Sequence, residues 1–165
     1  MQVTIKNVPW RFQHGLIRQC CNFVLSKFLS PQKLMHIEIE VIGVKDQFQK
    51  EGAYGFCSIS EDHFSSGKKN PVWFTIEVDT TLSLRAFLIV LCHELVHAKQ
   101  YALKQLHEKY YPRYQKFWKG KDITDRYYSH CPNEHEAYRK EKLLYLEFTK
   151  QLNMDFEFVG PLQLR

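Results

Sequence analysis

The spacing of apolar residues predicts a helix near the start of the chain and three short strands after it. Between residues 11 and 29, apolar side chains recur every three or four positions, which gathers them on one face of a helix. Residues 34–42 alternate between apolar and polar and predict a half-buried strand, while polar residues 44–52 predict a loop. Residues 53–59 predict a short strand at a sheet edge. Residues 72–78, rich in β-branched and aromatic side chains, predict a third strand.

Two further helices are predicted in the second half of the chain. The first begins at Thr81 or Ser83, either of which can cap it, and continues to about residue 106. It is apolar on every side over residues 86–92, so we expect protein to surround it. The second helix has Asn133 as its N-cap and continues to about residue 152. This order of elements predicts one α+β domain over residues 1–165, with a small, mostly antiparallel sheet packed on the buried helix and the C-terminal helix.

The composition agrees with a single compact domain. Of the 165 residues, 44% are hydrophobic and 25% are charged, which excludes a disordered tail and a multidomain protein. The longest apolar run, residues 86–92, is far shorter than the roughly 18 residues of a membrane span, and the N-terminus does not resemble a signal peptide. Five cysteines without a CxxC pair predict reduced thiols. We therefore expect a cytoplasmic protein without a membrane partner.

The positive charge is concentrated in one part of the chain. Residues 99–142 contain 11 Lys and Arg against 6 Asp and Glu, so they carry the whole net charge of +5, and they also contain nine aromatic residues. A basic and aromatic surface can bind nucleic acid. The interpretation we favour is an ordinary solvated surface with packed tyrosines, because a net charge of +5 is only mildly basic.

His93, Glu94 and His97 form an H-E-x-x-H motif inside the buried helix. Positions four apart lie one above the other on a helix, so the two imidazoles can bind one metal ion, and neutral imidazoles favour Zn²⁺. Glu94 is rotated by about 100° from His93, which lets it reach a water molecule at the metal without binding the ion. The alternative is that both are ordinary core histidines. We favour a metal because these groups would be costly to bury in an apolar helix without a cation.

A catalytic zinc ion needs a third protein ligand. The longer metzincin motif requires glycine at position 100 and histidine at position 103, and this chain has Gln100 and Leu103 there. His107 lies about 15 Å beyond His97 if the helix is continuous, and no glycine or proline stands between them to interrupt it. The third ligand is therefore expected elsewhere in the chain.

The start of the last helix supplies the favoured third ligand, Glu134. With Asn133 as the N-cap, Glu136 falls where a carboxylate commonly closes a capping box, which gives Glu136 a structural explanation. Glu134 instead shares the inward face of the helix with Ala137, opposite the two imidazoles. The alternatives that remain open for the third ligand are Glu136, His130, His135 and His107.

Three segments together resemble a family of small zinc metallopeptidases of bacteriophages and other viruses. They are residues 93–101, residues 117–121 and the sequence from Tyr128 to Tyr138, which contains Pro132 and the Glu-x-x-Ala element. These proteins are minimal, gluzincin-like zincins with a distant similarity to SprT-type proteases. The resemblance covers about residues 72–146 and implies a zincin-like fold, one catalytic Zn²⁺ and Glu134 as the third zinc ligand. In a viral protein, the cytoplasm would be that of the host cell.

The chain departs from this family's pattern at two positions. Asn133 stands where the pattern usually has tryptophan, and this changes a packing or substrate contact rather than a ligand. Tyr138 stands where larger gluzincins have an aspartate that orients a ligand histidine. The sequence therefore does not identify the residue that orients the histidines.

The motif and the resemblance together predict a zinc-dependent metallopeptidase that cleaves a peptide or protein substrate. Glu94 is the expected general base. The resemblance implies Tyr128 as the residue that stabilises the oxyanion, with His130 as the second choice, although Tyr128 could instead be a core tyrosine. Residues 54–59 are a candidate edge strand for pairing with an extended peptide.

Three alternatives to this activity remain open. They are a zincin-fold module that only binds a partner, a protease that associates with DNA through residues 99–142, and a deformylase-like hydrolase with an upstream cysteine ligand. The last requires a spacing that Cys57 does not have. The sequence predicts neither the residues that select the substrate nor the oligomeric state.

Overall fold

The structure is a computed structural model that describes residues 1–59 and 73–153. Four strands form its main sheet, in the order β1, β2, β4, β3. Their bounds are β1 Gln2–Lys6, β2 Glu38–Val44, β3 Gly55–Ile59 and β4 Trp73–Asp79. The sequence predicted β2, β3 and β4. It missed β1, whose five residues alternate only between exposed and half-buried positions.

The main sheet is mixed rather than mostly antiparallel. β1 pairs parallel with β2 and β2 pairs parallel with β4, while β3 runs antiparallel to β4. The β1–β2 pairing is parallel because a helix crosses over between the two strands, which is how neighbouring parallel strands are connected. Among the described residues β3 is an edge strand, as predicted.

The described residues contain five α-helices. They are α1 His14–Ser26, α2 Pro31–Leu34, α3 Gln47–Glu51, α4 Leu84–Ala102 and α5 Pro132–Gln151. The short helix α3 replaces the predicted loop. α4 packs against α1, α5, β3 and β4, and nearly all of it is buried, as its apolar composition predicted. The α+β class is therefore confirmed. Among the helices of the described segments, none is long and apolar enough to cross a membrane.

The sequence predicted the start of α4 correctly but not its end. Its start is the predicted one, since the Ser83 side chain caps the helix by accepting a hydrogen bond from the backbone N–H of Ala86 at 3.2 Å. Its end comes earlier than predicted. Lys104 adopts a left-handed conformation with φ 56°, and the N–H of Gln105 donates to the carbonyl of Gln100 at 2.8 Å. This is a Schellman-type end, which normally contains glycine, so the sequence did not indicate it.

The N-cap of helix α5 lies two residues earlier than predicted. Cys131 is its N-cap and Pro132 occupies the first helical position, which suits proline because the N–H it lacks has no partner there. Asn133 is therefore not the N-cap, and Glu136 does not close a capping box. That part of the sequence interpretation was wrong.

A second, antiparallel sheet lies between α4 and α5 in the chain. It contains β5 Leu106–Lys109, β6 Gln115–Trp118 and β7 Lys121–Asp122. A 3₁₀-helix at Tyr128–His130 then leads into α5. The pattern of residues in this region did not predict a sheet.

Candidate metal centre

The helices α4 and α5 run antiparallel and bring three polar side chains together. Gln100 contacts Asn133 near one end of the helix pair, and His93 contacts Glu141 further along. His93 and His97 lie one turn apart on the buried face of α4, and Glu134 faces both of them from the first turn of α5. All three side chains are buried.

The three facing atoms form a nearly equilateral triangle. The Nε2 atoms of His93 and His97 are 3.2 Å apart, and Oε2 of Glu134 lies 3.4 Å from the first and 3.3 Å from the second. A tetrahedral zinc ion with ligands at about 2.0–2.1 Å separates its ligand atoms by about 3.3 Å. Buried His93, His97 and Glu134 are thus close enough to hold one metal ion.

The hydrogen bonds at the other ring nitrogens fix how these histidines are protonated. Nδ1 of His93 lies 2.8 Å from a carboxylate oxygen of Glu141, so it carries the hydrogen. Nδ1 of His97 lies 2.9 Å from Oε1 of Gln100. The amide of Gln100 cannot be turned around, because its Nε2 donates to the carbonyl of Asn133 at 2.9 Å and to Glu136 at 3.0 Å. In their neutral forms, both imidazoles therefore direct the Nε2 lone pair toward Glu134.

The carboxylate of Glu134 completes a site made only of acceptors. Its Oε1 accepts a hydrogen bond from Nδ2 of Asn133 at 2.8 Å, which orients the group. Its Oε2 is buried and has no hydrogen-bond partner. A buried acceptor that faces two lone pairs is costly unless a cation or a proton sits between them. Two imidazole nitrogens and one carboxylate oxygen are therefore suitable ligand atoms for a metal ion.

The pKa values in the pocket reflect its negative field. Burial alone would lower the pKa of His93, but the carboxylates of Glu134 and Glu141 outweigh that effect and raise this pKa to about 9. Burial would likewise raise the pKa of Glu134, yet the close approach of the His93 and His97 imidazoles holds it well below its usual range. The pocket therefore favours a bound positive charge.

Glu94 lies beside the three ligand residues and against β3. It is buried, and burial raises its pKa to about 7 although the nearby histidines partly oppose this. Gly55 of β3 makes room for this carboxylate, because a Cβ atom at that position would lie 2.9 Å from Oε1 of Glu94 and 2.6 Å from Cγ1 of Val90. The geometry explains why a glycine stands there. A carboxylate with this pKa can take up and release a proton near neutral pH.

Two tyrosines stand at the mouth of the site. Tyr128 is 59% exposed, and its hydroxyl lies 3.5 Å from that of Tyr138. Burial of the hydroxyl, followed by its interactions with Tyr138 and Glu134, raises the pKa of Tyr128. The ring of Tyr138 packs edge-on against His93 with centroids 4.7 Å apart. Tyr128 is therefore not a core tyrosine, and its hydroxyl group lies next to a ligand residue.

The alternative third ligands lie outside the cluster. His130 and His135 are exposed, and Glu136 is bonded to Lys99 at 2.7 Å and to Gln100. His107 is exposed on β5 beside Phe117. The expectation that a continuous helix would carry His107 away from the site was wrong, because α4 ends before it.

Sequence analysis missed two residues that orient the histidines, Glu141 and Gln100. Glu141 occupies the role that the sequence left unassigned when Tyr138 replaced the usual aspartate. It lies seven residues after Glu134 and four after Ala137, so helical spacing alone could have placed it on the inward face. Gln100 entered the sequence interpretation only because the metzincin motif has glycine at that position, and its contact with His97 was not predicted.

A groove of about 1280 Å³ passes over the metal centre, between β3 on one side and the α4–α5 pair on the other. Its floor includes His93, Glu94 and His97, and its wall includes Gly55 and Cys57 of the edge strand. An extended chain lying in this groove would pass the three ligand residues. Comparisons of the chain with family models, curated proteins and solved structures gave no match.

Proposed function

We propose that this protein is a zinc-dependent metallopeptidase. The observation that carries the proposal is the triangle of two imidazole lone pairs and one carboxylate oxygen, with a second buried carboxylate, Glu94, beside it. Two nitrogen ligands and one oxygen ligand are typical of catalytic zinc sites, which keep a fourth position open. Here the open side faces the groove.

A zinc ion held by His93, His97 and Glu134 would supply an electrophile that polarises a peptide carbonyl and acidifies a water molecule. The protein contributes the placement of these ligands. Glu141 and Gln100 hold the imidazoles in the tautomer that binds metal, and Asn133 orients the carboxylate of Glu134.

Proton transfer is assigned to Glu94. Its carboxylate accepts a proton from the attacking water and later gives it to the amine that leaves when the peptide bond breaks. A pKa near 7 suits both steps, because the group must be a base first and an acid afterwards. The hydroxyl of Tyr128, at the edge of the groove, is the proposed donor to the oxyanion.

The edge strand β3 is the proposed surface for the peptide backbone. The N–H of Asp79 donates to the carbonyl of Tyr54, and pairing alternates along an antiparallel ladder, so the backbone groups of Gly55, Cys57 and Ile59 face the open edge. These groups can pair with an extended substrate, as in other cases of strand addition. The peptide bond to be cleaved would then lie above the metal centre.

The test of this function is the variant Glu94→Gln. We expect peptide hydrolysis to fall by at least about 100-fold, the usual contribution of a positioned base, while the zinc content stays near one ion per chain. Hydrolysis of a mixed peptide library is followed by mass spectrometry, and metal content by elemental analysis. The matched control is Glu38→Gln, which makes the same change at an exposed position on β2. Full activity in Glu94→Gln, or no zinc in the wild type, would refute the proposal.

A second candidate, a DNA-associated protease, is favoured by the exposed rings of Tyr110, Tyr111 and Tyr127 near the second sheet. Part of the basic and aromatic stretch is not available for this role, since Lys99 and Tyr101 are buried. Stimulation of hydrolysis by single-stranded DNA that weakens steeply with salt would support this candidate. Binding to DNA without hydrolysis would instead support a module that only binds.

A further inference from the structure

The groove continues well past the metal centre toward the N-terminal end of α4. At that end its lining includes Arg85 from α4 and Lys142 from α5. No carboxylate of the described residues forms an ion pair with either cation. Nε of Arg85 is also buried without a hydrogen-bond partner. Because no carboxylate neutralises Arg85, the part of its guanidinium that lines the groove is available to an anion that enters there.

Arg85 also lies within electrostatic reach of the Tyr145 hydroxyl, and the rest of its surroundings along the groove is apolar or already occupied. Between Arg85 and His93 the floor of the groove is formed by Ala86, Ile89 and Val90. The other carboxylates at this end are Glu141, which is bonded to His93, and Glu51, which is exposed. The two cations therefore face a groove that is apolar up to the metal centre.

The direction of the edge strand determines which part of a bound peptide reaches Arg85. Gly55 lies against Val90 and Glu94, whereas Cys57 lies within electrostatic reach of Tyr101, so β3 and α4 point the same way along the groove. A peptide that pairs antiparallel with β3, the more stable arrangement, runs the opposite way. Its residues after the cleaved bond then approach the N-terminal end of α4.

The distance along the helix between His93 and Arg85 determines which residue of the bound peptide lies opposite Arg85. Arg85 precedes His93 by eight residues, which is about 12 Å along the helix axis. An extended peptide covers about 3.4 Å per residue, so this distance corresponds to about three to four residues. The arginine side chain can also extend toward the metal centre, which reduces the number of peptide residues needed. The second to fourth residues after the cleaved bond can therefore reach the guanidinium of Arg85.

We propose that Arg85 and Lys142 form a carboxylate-binding subsite that selects peptides with a negative charge two to four residues after the cleaved bond. The charge can be an aspartate or glutamate side chain or the free C-terminus of a short peptide, since both present the same group to a guanidinium. This inference rests on the proposed peptidase function and names the substrate class of the same groove.

The experiment uses the full-length, zinc-loaded protein and a peptide library. A sequence cleaved by the wild type is resynthesised with glutamate or glutamine at the third residue after the cleaved bond, and each peptide is made with a free or an amidated C-terminus. We expect kcat/KM to be at least about 10-fold higher for the glutamate peptide, and this ratio to fall to about one in Arg85→Gln. Arg85→Lys, which keeps the charge, should retain part of the preference. The control Arg18→Gln makes the same change on the exposed face of α1 and should leave the ratio unchanged.

Binding separates failure of this inference from failure of the proposed function. The same peptides, carrying a fluorophore, are titrated against Glu94→Gln protein and followed by anisotropy, which needs no hydrolysis. Tighter binding of the charged peptides that disappears with Arg85→Gln supports the subsite even if no peptide is cleaved. Equal binding and equal cleavage of both members of each pair would overturn it while leaving the peptidase intact. A preference carried only by the free C-terminus would identify the α-carboxylate as the recognised group.

Discussion

At the scale of single residues, the metal centre depends on which atoms can donate hydrogen bonds. Glu141 and Gln100 each occupy the Nδ1 side of a histidine, which leaves both Nε2 atoms as acceptors opposite Oε2 of Glu134. Three buried acceptors without a donor repel one another, so a cation at their centre relieves an unfavourable arrangement. Glu141 and Gln100, which are not among the three facing residues, would therefore contribute to the affinity for an ion.

The choice between two carboxylates can be tested by metal content. We expect Glu134→Ala to lose zinc, because it removes one of three ligand atoms, and Glu136→Ala to keep it, because Glu136 is bonded to Lys99 and Gln100 instead. Elemental analysis after dialysis against a weak chelator measures the difference. Equal loss in the two variants, or no loss in either, would remove Glu134 from the proposed ligand set.

The role of Glu141 as a positioning residue predicts a graded effect on zinc affinity. Glu141→Ala should weaken zinc binding by about 10- to 100-fold, the usual cost of losing a carboxylate that orients a ligand histidine. Glu141→Gln keeps an acceptor oxygen for the ring N–H, so we expect a smaller loss. Competition with a zinc-binding dye gives both affinities, and an unchanged affinity in Glu141→Ala would contradict this role.

The three side chains that meet in the cluster could be predicted from the sequence, whereas the residues that orient them could not. His93 and His97 are placed by helical geometry alone, because any helix brings positions four apart to one face. Gln100 acts only because α5 supplies Asn133 and Glu136 on its other side. That contact depends on how two helices pack, which no local pattern contains.

At the scale of elements, the differences from expectation occur where backbone geometry overrides residue type. Lys104 ends α4 in a conformation that usually requires glycine, and Cys131 caps α5 without contributing a side-chain hydrogen bond. The second sheet is built from strands of four, four and two residues, too short to show an alternation. Long elements with a clear period, such as α1, were predicted well.

The same substitution at two glycines should have opposite effects on stability. Gly52 ends α3 with φ 74°, where a side chain is strained, so Gly52→Ala should destabilise the protein by about 1 kcal/mol. Gly15 lies in the first turn of α1, where an added Cβ atom would meet no other atom within 4 Å, so Gly15→Ala should stabilise it by about 0.5–1 kcal/mol. Urea denaturation measures both changes, and the same sign in the two variants would contradict this account.

At the scale of the whole molecule, one buried carboxylate connects the main sheet to α3 and to the start of α4. Asp79, the last residue of β4, accepts hydrogen bonds from the backbone N–H of Phe48 at 3.1 Å and from the N–H and hydroxyl of Thr81 at 2.8 and 2.7 Å. Burial alone would raise the pKa of Asp79, but these hydrogen bonds prevail and lower it. The charged form is thus stabilised in the folded state.

This lowered pKa predicts how stability depends on pH. Because the folded pKa lies below the unfolded value, the contribution of Asp79 is complete above the unfolded pKa and is lost as the pH falls through the folded pKa. We expect Asp79→Asn to be less stable than the wild type by about 1–3 kcal/mol at pH 7, and the gap to shrink below about pH 4. Urea denaturation of both proteins from pH 7 to pH 3 tests this, and a gap that does not change with pH would refute it.

Within the described part of the chain β3 has an unpaired edge, and this affects how the molecule meets copies of itself. The backbone groups of Gly55, Cys57 and Ile59 offer the same ladder to any extended strand, whether it belongs to a substrate or to a second molecule. Self-association through this edge and peptide capture would be mutually exclusive. Peptide turnover per molecule would then fall as the protein concentration rises. A tightly bound peptide would keep the protein from self-associating.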